Sequence, residues 1–92
     1  MNWSAKVNPN FTLTNGKSYT APNDGFMFIR LQCGSGQGYC HFKNQVGMIF
    51  SFYTENYYQE TLTIPMNEGD TLTINETSGV NQIIEQNFVP YL

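Results

Sequence analysis

The segment Tyr19–Gln32, YTAPNDGFMFIRLQ, constrains the fold of this chain more than any other stretch. Its Pro-Asn-Asp-Gly signal predicts a turn in which Pro22 fixes its own φ and Gly25 takes positive φ. The residues after the turn alternate, and the two predicted strand faces are Phe26, Phe28 and Arg30 on one side and Met27, Ile29 and Leu31 on the other. Both faces are largely apolar, which predicts a strand covered by a second sheet layer on one side and by another element, such as a neighbouring subunit, on the other.

The remaining sequence predicts further short strands with turn signals between them. The Asn15-Gly16 dipeptide favours a tight hairpin turn between the first two strands, and Pro65 is predicted to end another strand. The predicted strands are 11–14, 17–21, 26–31, 39–43, 46–54, 58–64, 71–75 and 82–91. About eight short strands at this spacing predict an all-β fold, a single antiparallel β-sandwich of the jelly-roll type over residues 11–92, preceded by an N-terminal arm or edge segment over residues 1–10.

Charge and hydropathy exclude two classes of partner. Only four residues are Lys or Arg against seven Asp or Glu, the net charge is -3, and the basic residues are scattered. Nucleic-acid binding needs a basic stripe, so we expect no nucleic-acid partner. No apolar run reaches the length of a membrane span, and the first residues lack the order of a signal peptide, so we expect no membrane insertion.

The two cysteines, Cys33 and Cys40, flank a glycine-rich loop, GSGQGY. If the segments on either side pair as a hairpin, the two thiols face each other at its neck and a disulfide is geometrically conceivable. The alternative is a pair of reduced, small apolar side chains. A metal site is not expected, because no fourth ligand follows Cys33, Cys40 and His41 at zinc-finger spacing.

The residues do not point to an enzyme. The single histidine, His41, follows Cys40, and adjacent strand residues point to opposite faces, so the two cannot easily form a nucleophile and base pair. The carboxylates lie in turns or singly on strands, without a pair at a spacing suited to acid and base chemistry. The loop Gly34–Gly38 lacks the strand-to-helix context of a phosphate cradle and is predicted to be flexible. We therefore expect no catalytic residues and no cofactor.

Binding is better supported than catalysis. Aromatic residues are concentrated near the ends of the predicted strands 39–43 and 46–54, and tyrosines beside Asn and Gln suit both sugar stacking and protein contact. The candidate ligand-binding residues are Tyr39, His41, Tyr57 and Tyr58, with Tyr53 in the same region. The alternative is that the aromatic side chains fill the core and a subunit interface, which is the interpretation preferred for Phe50 and Phe52.

Several short pieces of the chain, taken in order, resemble one protein family. They are Trp3-Ser4, Lys6-Val7, residues 18–26 (SYTAPNDGF), Ile64-Pro65, residues 68–73 (EGDTLT) and residues 88–91 (FVPY). This order is similar to that of the small trimeric jelly-roll domains, of the complement/tumour-necrosis-factor-like type, at the fibre tips of tailed phages and in related prophage proteins. Each piece also has its own turn or strand chemistry: Gly69 supplies positive φ beside Asp70, whose carboxylate can accept backbone N–H groups in the turn.

The resemblance implies a non-enzymatic virion protein on the phage particle surface, assembled in the bacterial cytoplasm. Its function would be that of a tail-fibre receptor-binding head domain, recognising a bacterial surface saccharide or protein as a homotrimer. The alternative is a structural head-fibre, decoration or collar protein without a host ligand. Residues 33–58 depart from the family pattern, so recognition is expected there. Apolar residues on both faces of strands 26–31 and 46–53 independently predict self-association.

Overall fold

The computed structural model describes residues 1–92 and contains seven β-strands and one short 3-10 turn. The turn is Trp3–Ala5. The strands are β1 (Ser18–Thr20), β2 (Gly25–Cys33), β3 (Gln37–Asn44), β4 (Ile49–Glu55), β5 (Gln59–Met66), β6 (Thr71–Ser78) and β7 (Val80–Pro90). The chain has no helix of the length and apolar character needed to cross a membrane.

The strands form two antiparallel sheets, which confirms the all-β sandwich. One sheet has the order β1-β6-β3-β4 and the other has the order β5-β2-β7. The core lies between them and draws on both sheets. Its largest fully buried side chains are Phe42, Phe52, Phe88, Met27, Ile29, Leu31, Leu72 and Ile74.

The central strand β2 shows the alternation that its sequence predicts. Met27, Ile29 and Leu31 point into the core and are at most 1% exposed. On the opposite face, the rings of Phe26 and Phe28 lie 5.6 Å and 5.9 Å from the Trp3 ring, both in edge-to-face contact. The second apolar face of β2 is thus covered in part by another element, as predicted, and that element is the chain's own N-terminal segment.

The Pro-Asn-Asp-Gly segment is a bend that carries the chain from one sheet to the other, and the conformation predicted for its glycine is wrong. Gly25 does not have positive φ. A Cβ at this position would lie 2.8 Å from the Phe88 ring, 2.9 Å from the Cα of Pro90 and closer still to the carbonyl oxygen of Val89. Glycine is required here because β7 passes too close to β2 for any side chain.

The two turn motifs that suggested the family meet in space. The backbone N–H of Gly69 donates to the Ala21 carbonyl, and that of Ala21 donates to the Asp70 carbonyl, both at 2.9 Å. The Asp24 carboxylate accepts the N–H of Glu68 at 2.8 Å. Gly69 has φ +87°, and the Asp70 carboxylate accepts the N–H of Asn67 at 2.9 Å, which confirms the two turn predictions made for these residues.

The prediction of a strand over residues 11–14, joined to the next strand by a hairpin turn at Asn15-Gly16, is wrong. Phe11 is buried against Phe42, but its backbone N–H and carbonyl bond to the Gln86 side chain instead of a strand, at 2.7 Å and 3.0 Å. After the turn at Gly16, β1 pairs with β6. Seven strands result instead of eight, because one glutamine amide satisfies the backbone groups that a strand partner would otherwise bond.

Pro65 does not end a strand as predicted, since β5 continues through it to Met66. This strand is an edge of the three-stranded sheet, with β2 as its only ladder partner. A proline is compatible with this position because the missing N–H can lie on the unpaired side of an edge strand.

Candidate functional site

Two of the four candidate ligand residues lie together on the outer face of the four-stranded sheet. Strand β3 alternates, so that Cys40 and Phe42 point into the core while Tyr39 and His41 point outward. The Tyr39 and His41 rings are 5.0 Å apart, and the Tyr53 ring lies 6.4 Å from Tyr39 and 5.4 Å from His41. Tyr53 is 64% exposed, so the cluster is open to solvent.

Hydrogen bonds from the two neighbouring strands hold this cluster. His41 lies in register between Ser51 on β4 and Glu76 on β6. Its Nδ1 is 2.7 Å from the Ser51 hydroxyl, and the Tyr39 hydroxyl donates to Glu76 Oε1 at 3.0 Å. We call these five residues, Tyr39, His41, Ser51, Tyr53 and Glu76, the tyrosine–histidine face.

The carboxylate in this face changes the ionisation of its neighbour. The hydrogen bond from Tyr39 to Glu76 stabilises the neutral phenol and raises the pKa of Tyr39, and desolvation and the negative charge of Glu76 act in the same direction. The Tyr39 hydroxyl therefore keeps its proton at neutral pH and donates a hydrogen bond to Glu76 Oε1.

A shallow depression of about 360 Å³ adjoins the cluster at the start of β3 and the end of β4. It is lined by Gln37, Gly38, Tyr39, Tyr53, Thr54 and Glu55. Two tyrosine rings next to amide, hydroxyl and carboxylate groups can offer apolar stacking and hydrogen bonds to one small polar ligand.

The other two candidates, Tyr57 and Tyr58, lie in the connection between β4 and β5. Asn56 and Tyr57 have positive φ, of 53° and 64°, and the Tyr58 N–H donates to the Glu55 carbonyl at 3.1 Å. Positive φ at both central positions is the signature of a type I′ turn. Both tyrosines are at least 60% exposed, but neither makes a ring contact with the tyrosine–histidine face. The structure thus separates the four candidates into two pairs.

The glycine-rich loop that precedes β3 was predicted to be flexible, but backbone hydrogen bonds tie it to two neighbouring connections. The carbonyls of Gly34 and Gly36 accept the N–H groups of Tyr57 and Asn56 at 3.0 Å and 2.8 Å. The Gly34 N–H in turn donates to the Gly79 carbonyl at 2.9 Å. These bonds join three connections at one end of the sandwich.

The proposed hairpin between the two cysteines is wrong, because β2 and β3 belong to different sheets. Cys33 and Cys40 are both fully buried and are free thiols in the structure. Burial raises the pKa of the Cys40 thiol to about 11, with a hydrogen bond to Thr77 acting in the opposite direction. A thiol of this kind is a poor nucleophile, since the reactive form is the thiolate.

The sequence reasoning missed two members of the site, Ser51 and Glu76. Ser51 could have been found from the register of β4 against β3, but Glu76 lies 35 positions beyond His41, and only the sheet order brings it alongside. The chain contains no group of three or more His, Cys, Asp or Glu side chains arranged to hold a metal ion.

Comparison with known proteins does not assign the chain to a family. No protein-family model matches it, no curated protein matches it, and no solved structure matches its fold significantly.

Proposed function

We propose that this chain is a non-enzymatic recognition domain, the receptor-binding head of a phage or prophage tail fibre, which binds a host-surface saccharide through the tyrosine–histidine face. The observation that carries the proposal is the cluster of Tyr39, His41 and Tyr53, which is open to solvent and bordered by a depression with polar groups. The phage assignment rests on the resemblance of the turn motifs.

The arrangement of the face favours a saccharide over a protein surface. A sugar ring presents an apolar face that can stack on Tyr53. Its hydroxyl groups can form hydrogen bonds with Ser51, His41 and the Glu76 carboxylate. Because Tyr39 is held by Glu76 and His41 by Ser51, ordering these side chains on binding takes little conformational entropy. Shallow single sites bind weakly, so a trimeric head would gain its affinity for a cell surface through avidity.

Trimer formation is part of the proposal and has support in a second exposed patch. The turn between β3 and β4 presents Val46, Met48 and Ile49, which are 77%, 56% and 45% exposed. The Asn44 side chain accepts the N–H groups of Val46 and Met48 at 3.1 Å and 2.9 Å, so the turn is held in one conformation. A fixed apolar tip is typical of a protein contact, and it also suits the alternative, a structural virion protein without a host ligand.

The test is a glycan array and host-cell binding assay on the purified protein, with light scattering for its oligomeric state. Replacing Tyr53 with alanine should weaken glycan binding by about tenfold, because one stacking surface is lost. The matched control is Tyr58→Ala, which removes a tyrosine of almost the same exposure, 67% against 64%, from the other pair.

The outcomes separate the alternatives. Equal binding by the Tyr53→Ala variant and the original protein would refute the tyrosine–histidine face as the site. A trimer that binds neither glycans nor cells would favour the structural virion protein, and a monomer that binds nothing would overturn the adhesion-head proposal.

A further inference from the structure

The depression carries a negative charge and no positive one. Glu55 is the one charged side chain that lines it. No lysine or arginine lines it. On β3 the nearest basic side chain is Lys43, four positions from Tyr39 and therefore about 13 Å along the strand. An anionic ligand would meet the Glu55 carboxylate here without a cation to pair with.

The other three basic residues lie on different parts of the molecule. Arg30 is on the opposite sheet, where it donates to Thr61 and lies over the Phe28 ring. Lys6 follows the N-terminal turn, and Lys17 precedes β1 at the far edge of the sheet, beyond β6. The local electrostatic field at the depression is therefore set by the Glu55 carboxylate and the rings of Tyr39 and Tyr53.

The rings also favour a positively charged group. Tyrosine faces carry negative electrostatic potential and attract an ammonium placed over them, and the attraction grows as the site is desolvated. The Tyr39 hydroxyl donates a hydrogen bond to the Glu76 carboxylate, which increases the electron density of that ring. An ammonium between the two tyrosine rings and the Glu55 carboxylate would gain both interactions, whereas an acetamide would gain neither.

We propose that the depression takes a saccharide with a free amino group, a glucosamine-type unit, in preference to its N-acetylated or anionic counterparts. This inference rests on the proposed function and specifies the ligand class for the same site. Its basis is the combination of two tyrosine rings, the Glu55 carboxylate and the absence of any lysine or arginine in the lining of one depression.

The experiment compares glucosamine oligomers with N-acetylglucosamine oligomers of the same length by isothermal titration calorimetry on the full chain, in mildly acidic buffer where the amines are protonated. The sugar rings and linkage are identical, so the pair isolates the amino group. We expect at least tenfold tighter binding of the glucosamine oligomer, and a loss of this preference as salt is raised. A lysine oligomer of equal charge should bind at least tenfold more weakly than the glucosamine oligomer.

Substitutions locate the effect. Glu55→Gln should reduce the preference for the amine, measured as the ratio of the two oligomer affinities, several-fold. The matched control is Glu60→Gln, which removes an exposed carboxylate from β5 on the other sheet and should preserve the preference.

Each contrary result has its own meaning. Equal or tighter binding of the N-acetylated oligomer would overturn the amine inference and leave the proposed saccharide function standing. Equal binding of the lysine oligomer would overturn the saccharide ligand and show a general attraction for cations. Failure of both oligomers and of every glycan on the array would refute the proposed function itself.

Discussion

Raising the pH should destabilise this protein through the ionisation of one buried thiol. Cys40 is fully buried between the sheets, in register with Phe52 on β4. Burial raises its pKa from the ordinary value of 9.0 to about 11. The folded state thus holds the proton more tightly than the unfolded state does. The resulting stabilisation is fully present below pH 9 and is lost as the pH rises from 9 through 11.

The size of the effect follows from the shift. A difference of about two pKa units, at roughly 1.4 kcal/mol per unit, corresponds to about 3 kcal/mol of stability. A domain of this length has a total stability of roughly 5–10 kcal/mol, so the loss is a large fraction of the total. Burial of Tyr19 raises the pKa of its phenol as well, and this group acts in the same direction at a higher pH range.

The assay is urea unfolding under reducing conditions at about pH 8 and about pH 11, for the original protein and the Cys40→Ala variant. The variant lacks the titrating thiol, and the cavity it creates costs the same at both pH values. The lysines and tyrosines titrate in both proteins and cancel in the comparison. The original protein should lose about 2 kcal/mol more than the variant between the two pH values, because half of the folded thiols still hold their proton at pH 11. Parallel losses in the two proteins would refute the reasoning.

Two further substitutions test the packing of β2. Gly25→Ala should destabilise the protein by about 3 kcal/mol or more, because its Cβ would overlap the backbone of β7. Gly34→Ala, which would meet nothing closer than 3.8 Å, is the control, and equal shifts in urea midpoint would contradict the steric argument. Trp3→Ala should cost about 1–3 kcal/mol by removing two edge-to-face contacts, with Phe26 and Phe28. An unchanged midpoint would show that the N-terminal segment does not stabilise the sheet.

Local patterns in the sequence predicted the strands and their faces. The alternation of β2 places Met27, Ile29 and Leu31 inside, as period two requires, and the same rule places His41 outside and Cys40 inside. These predictions succeed because the direction of a side chain depends only on its own strand. The failed prediction at residues 11–14 is different in kind, since the Gln86 side chain from the far end of the chain bonds this segment.

The pairing between strands could not be predicted from the sequence. For this reason the sequence identified some residues of the site and missed their hydrogen-bond partners. Strand β3 lies between β4, its neighbour in sequence, and β6, which follows a strand of the other sheet. Tyr39 and His41 were identifiable as exposed aromatic residues, but the partner that orients Tyr39, Glu76, is set by this crossover. Tyr57 and Tyr58 are close to Tyr53 in sequence, yet the turn between β4 and β5 directs them away from its ring cluster.

The two ends of β2 lie next to different features of the protein, the bonded turns at one end and the depression at the other. The bonded turns around Ala21 and Gly69 lie at the Gly25 end of this strand, whereas the connections around Gly34 and Gly79 lie at its Cys33 end. A strand of this length is about 30 Å long, so the two ends share no contacts. The depression lies toward the second end, where Gln37 and Glu55 pair. Substitutions that alter ligand binding in the depression would therefore leave the turns at the other end of β2 intact. Stability and binding should respond to separate sets of substitutions.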